Sequence, residues 1–138
     1  MSWLFWALLS ALFAGLTAIL AKVGVKDVNS NLATAIRSVV ILIFAWAIAL
    51  GSKTQSLASL GRRTWLFLVL SGIATGLSWL CYFRALQLGE ASRVAPVDKL
   101  SVVVAIVLAA IFLREEVTWR HWVGGALITA GAIVLARN

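Results

Sequence analysis

The chain is poor in nearly everything a soluble enzyme is built from. In 138 residues it holds one cysteine, one proline, one histidine and five acids. A single cysteine, Cys81, excludes an internal disulfide framework and a cysteine-based metal cluster. The lone histidine, His121, and so few acids leave little material for a hydrolytic or metal site. There is no paired carboxylate with a histidine and no nucleophile–base pair, so an enzyme is not expected, nor a cofactor, a metal or a nucleic-acid partner. No ATP-binding motif is present, so any energy would come from an ion or substrate gradient. Charge is scarce as well. Only 12% of residues are charged and 62% are hydrophobic, against roughly 25% and about 45–50% in soluble domains. Water could not cover this much apolar surface; a bilayer does not need to.

What is present is a series of apolar runs joined by short, charged linkers. A membrane-crossing helix needs roughly 20 apolar residues. Five segments qualify: residues 3–21, 32–51, 64–83, 94–113 and 119–136. The expected fold is therefore an all-α, multi-pass integral membrane protein of five transmembrane helices in one domain, 1–138, in the inner or plasma membrane. The first segment lacks a basic flank and exceeds the usual length of a signal-peptide core, so it is expected to be a retained helix. Trp3, Trp6, Trp65, Trp119 and Trp122 fall at segment ends, where an amphipathic ring prefers the headgroup level. Trp46 and Trp79 lie mid-segment and need another reason, either packing or the lining of a path.

Cytoplasmic loops are normally enriched in Lys and Arg. With five spans, one side would carry Lys53, Arg62, Arg63, Arg114 and Arg120. The other would carry Lys22, Lys26, Arg37, Arg84, Arg93, Lys99 and Arg137. That is nearly a tie, and three of the second set lie close to membrane depth. The near-tie gives almost no orientation instruction: either one orientation wins through local effects the count misses, or both orientations are made. Many transporters consist of two inverted repeats around a midplane site. A chain with one such unit would obtain the other from an antiparallel second copy.

From Cys81 to Ala136 the sequence resembles the EamA domain of the drug/metabolite transporter superfamily. The resemblance is carried by Tyr82, Ala85-Leu86, Gly89, Ala91-Ser92, Val94 and Pro96. It continues through Phe112-Leu113, Glu115-Glu116, Thr118, Gly124 or Gly125, Leu127-Ile128 and Gly131. The opening "LLSALFAGLTAILAKVGVKDVNSNLATAIR" also looks like the start of such a unit. The resemblance implies a small, single-unit, five-helix member of the family. There are departures. A second proline near Ser101–Val103 is absent. The family's "LGE" is "LRE" here, at Leu113-Arg114-Glu115. A glutamate that related four-helix exporters carry in their first helix is missing, which argues against proton-coupled export of cationic drugs by that device.

Four charged residues stand out. Pro96 suits the first turn of a helix, which would put Asp98 in that turn beside the positive end of the dipole. One reading of Asp98 and Lys99 is a helix cap at the headgroups with Lys99 snorkelling. The other places the pair inside the membrane. Only about 14 residues follow them in the segment, or about 21 Å, short of the roughly 30 Å core. The same length argument applies to Arg37. Lys22 follows the first segment directly. Asp98, Lys99, Lys22 and Arg37 all fall on one side in the five-span topology. They could form one substrate- or ion-binding cluster of net positive charge, suited to an anionic or zwitterionic metabolite, or remain separate snorkelling charges. Gly124, Gly125 and Gly131 form a small-residue pattern in the last segment that favours close helix approach. By the family resemblance that segment is the better candidate for a dimer contact. Gly72 and Gly76 are next. Arg84 reads as a snorkelling anchor, Glu90, Glu115 and Glu116 as solvated acids, and His121 as interfacial. Thr17, Thr75, Ser78 and Tyr82 could line a path or bond within the bundle. The function expected is a secondary transporter of a small metabolite, working by alternating access as an antiparallel homodimer in contact with lipid. The alternative is a non-transporting scaffold or an accessory subunit of a heteromeric transporter.

Overall fold

In a computed structural model, the described residues are 2–52 and 59–137; Lys53, weighed above for orientation, lies outside them. These residues form helices α1 (Trp3–Gly24), α2 (Ser30–Gly51), α3 (Arg62–Leu88), α4 (Ala91–Asp98), α5 (Ser101–Leu108) and α6 (Trp119–Ala136). A π-helical turn, Ala109–Leu113, continues α5. No strand occurs among the described residues. Together α4, α5 and the π turn form the fourth predicted segment, and α6 is the fifth.

Four stretches are long and apolar enough to cross a membrane: α1, α2, α3 and the combined run Ala91–Leu113. At six per cent or less, almost none of their apolar windows is buried within the chain, as befits helices solvated by lipid. The chain is a multi-pass membrane protein. The fifth segment, α6, has 18 residues, about 27 Å at 1.5 Å per residue. Arg120 and His121 in its first turn make it the least apolar of the five segments, and it falls outside that set.

Local chemistry explains where the elements begin and end. α2 starts at Ser30, two residues before the apolar run, because the Asn29 side chain accepts the N–H groups of Asn31 and Leu32 at 2.9 and 3.4 Å. That satisfies donors a helix N-terminus otherwise leaves open. α3 runs a full turn past the predicted Phe83 to Leu88, giving 27 residues, or about 40 Å. This exceeds the hydrocarbon core and requires tilt or protruding ends. α6 opens on an unusual cap: the Nδ1 of His121 accepts the backbone N–H of Thr118 at 3.0 Å and lies 2.9 Å from its hydroxyl. His121 here takes the place usually held by Glu or Gln in a capping box.

The largest departure from expectation is in the fourth segment. The helix does not start at Pro96 but at Ala91, so Pro96 sits inside α4 and Asp98 ends it rather than opening it. Proline lacks an N–H and crowds the carbonyl four residues back. The helix breaks just beyond it. Lys99 N–H bonds the Pro96 carbonyl at 3.1 Å and Leu100 N–H the Val97 carbonyl at 3.0 Å, both three residues back. Lys99 and Leu100 keep right-handed backbone angles, so the chain continues in one run from Ala91 to Leu113 across the break. The far end closes on Arg114, which has φ 54° and ψ 33°. The N–H groups of both Arg114 and Glu115 return to the Ala109 carbonyl.

The chain divides into two compact units, Met1–Val23 with Leu88–Asn138, and Gly24–Gln87. In the first, α6 packs on α4 and α5. Gly125 is buried there, and a Cβ on it would lie 3.7 Å from Val103 Cγ2 and 3.9 Å from Ile106 Cδ1. In the second, Val25 and Leu86 are fully buried, and Phe83, Ser30 and Thr34 are buried as well. The side-chain amide of Gln87 ties the α1–α2 connection to α3 by donating to the carbonyls of Val25 and Val28. Hydroxyls are satisfied inside their own helices: Thr34 on Ser30, Ser38 on Thr34, Thr75 on Ser71 and Thr129 on Gly125. Such bonds to the carbonyl four residues back need no water.

Candidate functional site

Asp98 and Lys99 lie at the break between α4 and α5. The Lys99 ammonium and the Asp98 carboxylate are 3.5 Å apart, with side chains 56% and 37% exposed. Because the helix begins at Ala91, Asp98 lies about 10 Å along its axis rather than in its first turn. The pair is neutral as a unit, and it sits where proline has already weakened the helix ladder.

Lys22 ends α1. Its ammonium donates to the carbonyl of Gly89, the residue after α3, at 2.7 Å. The next ion pair, between Arg93 and Glu90 at 3.1 Å, is largely exposed and joins residues three apart at the start of α4, where it has little energetic weight.

Arg37 belongs to the other unit and is the eighth residue of α2. Its guanidinium lies 4.6 Å from the ring centre of Trp79 and 5.4 Å from that of Phe83. Residues 79 and 83 are four apart on α3, so both rings fall on one face. A flat cation over the face of an indole is attracted by the ring quadrupole. This supplies the reason that mid-helix Trp79 required. The Trp79–Arg37 pairing was not visible in the sequence, because it joins residues 42 positions apart on different helices. The only hint was a tryptophan and an arginine each placed too deep for the headgroups. Arg84, on the same helix, donates to the Gln87 side chain at 3.1 Å.

Of the four predicted charges, Asp98 and Lys99 meet as an ion pair, Lys22 reaches a backbone carbonyl and Arg37 lies on two rings. Of the predicted dimer-contact glycines, Gly125 packs inside its own unit, whereas Gly124 and Gly131 have nothing within 4 Å of a built Cβ. No group of three or more His, Cys, Asp or Glu suited to a metal occurs among the described residues. An apolar groove of about 400 Å³ runs between α5 and α6, lined by Val103, Ile106, Trp122, Gly125 and Thr129 among others.

Comparison with known proteins agrees with the helical, membrane-bound character of the chain. It is 56% identical to the uncharacterized transporter in cobO 3'region of a Sinorhizobium species, over 98% of this chain and 96% of that protein. It is 33% identical to a probable 4-amino-4-deoxy-L-arabinose-phosphoundecaprenol flippase subunit, ArnE, of Pseudomonas fluorescens, over 64% of this chain and 75% of that protein. A Methanocaldococcus jannaschii protein, MJ1333.1, is 26% identical over 94% of this chain and 92% of its own length. No solved structure matches. The EamA-like transporter family matches over residues 1–137, the whole helical array from α1 to α6, and the chain belongs to that family.

Proposed function

We propose that this chain is half of a secondary transporter for a small anionic or zwitterionic metabolite. It crosses the membrane five times and works by alternating access, paired with a second copy inserted upside down. The observation that carries the reading is charge at depth. Arg37 lies within α2, and Asp98 and Lys99 lie within the run Ala91–Leu113, both of span length. Ionisable groups in such segments face a partner or a water-filled path and mark substrate or ion routes. Asp98, Lys99, Lys22 and Arg37 are the residues proposed to handle the substrate. Pairing through α6, at Gly124 and Gly131, would leave the internal Gly125 contact intact.

A second reading has its own support. The Pseudomonas relative is named as a subunit of a flippase, so this chain could require a different partner chain to make a working transporter. One experiment separates the two. The chain is expressed alone, purified and reconstituted in proteoliposomes, and uptake is screened across anionic, zwitterionic and cationic metabolites. Uptake of an anion or zwitterion by the chain alone is the expected result. Uptake that appears only when another EamA-type chain is added supports the heteromer. Uptake confined to cations would overturn the substrate class.

A further inference from the structure

We infer that Arg37, laid on Trp79 and Phe83, is a seat for one singly charged oxyanion, and that the seat discriminates against dianions. This rests on the transporter reading and deepens it by naming the charge class of the substrate.

Three features of the geometry lead there. First, the rings hold the guanidinium without neutralising it. They are uncharged and lie against its central carbon at 4.6 and 5.4 Å, while its N–H donors lie in the plane of the group and form a fork that matches an oxyanion. Second, no acid supplies the counter-charge within the unit. Asp27 is the one carboxylate between Gly24 and Gln87, and no ion pair joins it to Arg37 among the described residues. A cation this far into a spanning helix is poorly solvated and gains most from a paired anion.

Third, the other cations proposed to handle the substrate already have partners, Lys99 in Asp98 and Lys22 in the Gly89 carbonyl, and two basic groups of the Arg37 unit are engaged locally. Arg84 is turned to Gln87, and Arg63 lies over Phe67. Arg62 and Arg63 open α3 about 25 Å along the helix from Trp79. A monoanion at Arg37 leaves the seat neutral. A dianion leaves an excess negative charge where water is scarce, which is costly. A carboxylate and a phosphodiester both meet this requirement. The first would arrive as a dissolved metabolite, the second also as a lipid headgroup. Arg37 and Trp79 are half-buried, and Ile36, Val40 and Leu80 beside them are exposed and apolar, so the route from the bilayer is chemically compatible.

The test measures binding alone, in the purified full-length chain, with two probe pairs. Native mass spectrometry compares phosphatidylglycerol, a monoanion, with phosphatidate, which carries a second ionisation. Thermal stabilisation compares propionate with succinate. In the arm that matches the natural source, the monoanion should be preferred by about tenfold, and Arg37→Gln should abolish the preference. Trp79→Leu should weaken it while keeping the charge, and Trp79→Phe should retain it, which serves as a check if the glutamine variant folds poorly. Preference in the lipid arm identifies a headgroup, and preference in the soluble arm a dissolved carboxylate. Equal retention of monoanions and dianions in both arms overturns the proposal, as does an undiminished preference in a folded Arg37→Gln protein. Selective binding without uptake by proteoliposomes would count against the transporter reading and leave the seat standing. Uptake without selective binding would do the reverse.

Discussion

Arg114 has the only positive φ found outside glycine among the described residues, and it stands where the family's "LGE" pattern has glycine. A left-handed conformation pushes Cβ toward the following carbonyl and costs an L-residue roughly 1–2 kcal/mol. Arg114→Gly should therefore raise the unfolding free energy by about 1 kcal/mol, measured in mild detergent with increasing denaturant. Arg114→Ala, which keeps Cβ, should give no such gain. At Asp98 and Lys99 the expectation concerns transport. The two side chains neutralise each other at 3.5 Å, and removing one leaves the other alone inside a spanning helix. Asp98→Asn should abolish uptake and Lys99→Ala reduce it severalfold, at unchanged abundance in the membrane. Glu116→Gln, an exposed acid in the α5–α6 connection, should leave uptake near wild type. Full uptake by both Asp98→Asn and Lys99→Ala would remove the pair from the substrate route.

Among the elements, α6 separates two roles that three glycines seemed to share. A Cβ added at Gly125 would meet Val103 and Ile106 at ordinary contact distance, while one at Gly124 or Gly131 would face open space. Gly125→Leu adds a branched side chain at a position whose Cβ would already touch α5, and overpacking of this kind typically costs about 1–3 kcal/mol. Its folded yield and thermal stability in detergent should fall. Gly131→Leu should leave the stability of the separated chain nearly unchanged and instead reduce the recovery of dimer in a mild detergent, read by cross-linking. A dimer indifferent to Gly131→Leu would move the contact away from this face, with Gly72 and Gly76, also open, the next positions to vary. The fourth segment carries two irregular points on either side of α5, the break after Pro96 and the π turn before Arg114. Proline accounts for the first by removing a donor and crowding a carbonyl.

For the whole molecule, the near-even distribution of Lys and Arg between the two sides predicts dual insertion. C-terminal reporter fusions should be active on both faces of the membrane, and two or three added lysines in one set of loops should shift the mixture toward one orientation. A reporter active on a single face would exclude the upside-down homodimer and favour a different partner chain. The small buried fraction of the spanning helices is consistent with either assembly, since lipid solvates apolar faces as well as a partner does.

The all-helical, membrane-crossing character of the chain was legible from the sequence, although four stretches of crossing length stand where five spans were expected. Hydropathy is a local property, and a bilayer requires the backbone to satisfy itself within each segment. The four charges proposed to handle the substrate stand out in the sequence for the same reason, because each interrupts or closes an apolar run. Precise helix starts were not legible, since they depend on caps and backbone breaks: Asn29 moved α2 two residues earlier, and the fourth segment began at Ala91 although its proline suggested Pro96. Nor could the sequence tell what each charge would meet. The Gly89 carbonyl for Lys22, the Trp79 and Phe83 rings for Arg37 and the Val103 contact for Gly125 all join residues far apart in the chain. A periodic apolar pattern specifies that a helix forms and crosses; only packing of one helix against another decides which side chain lies on which.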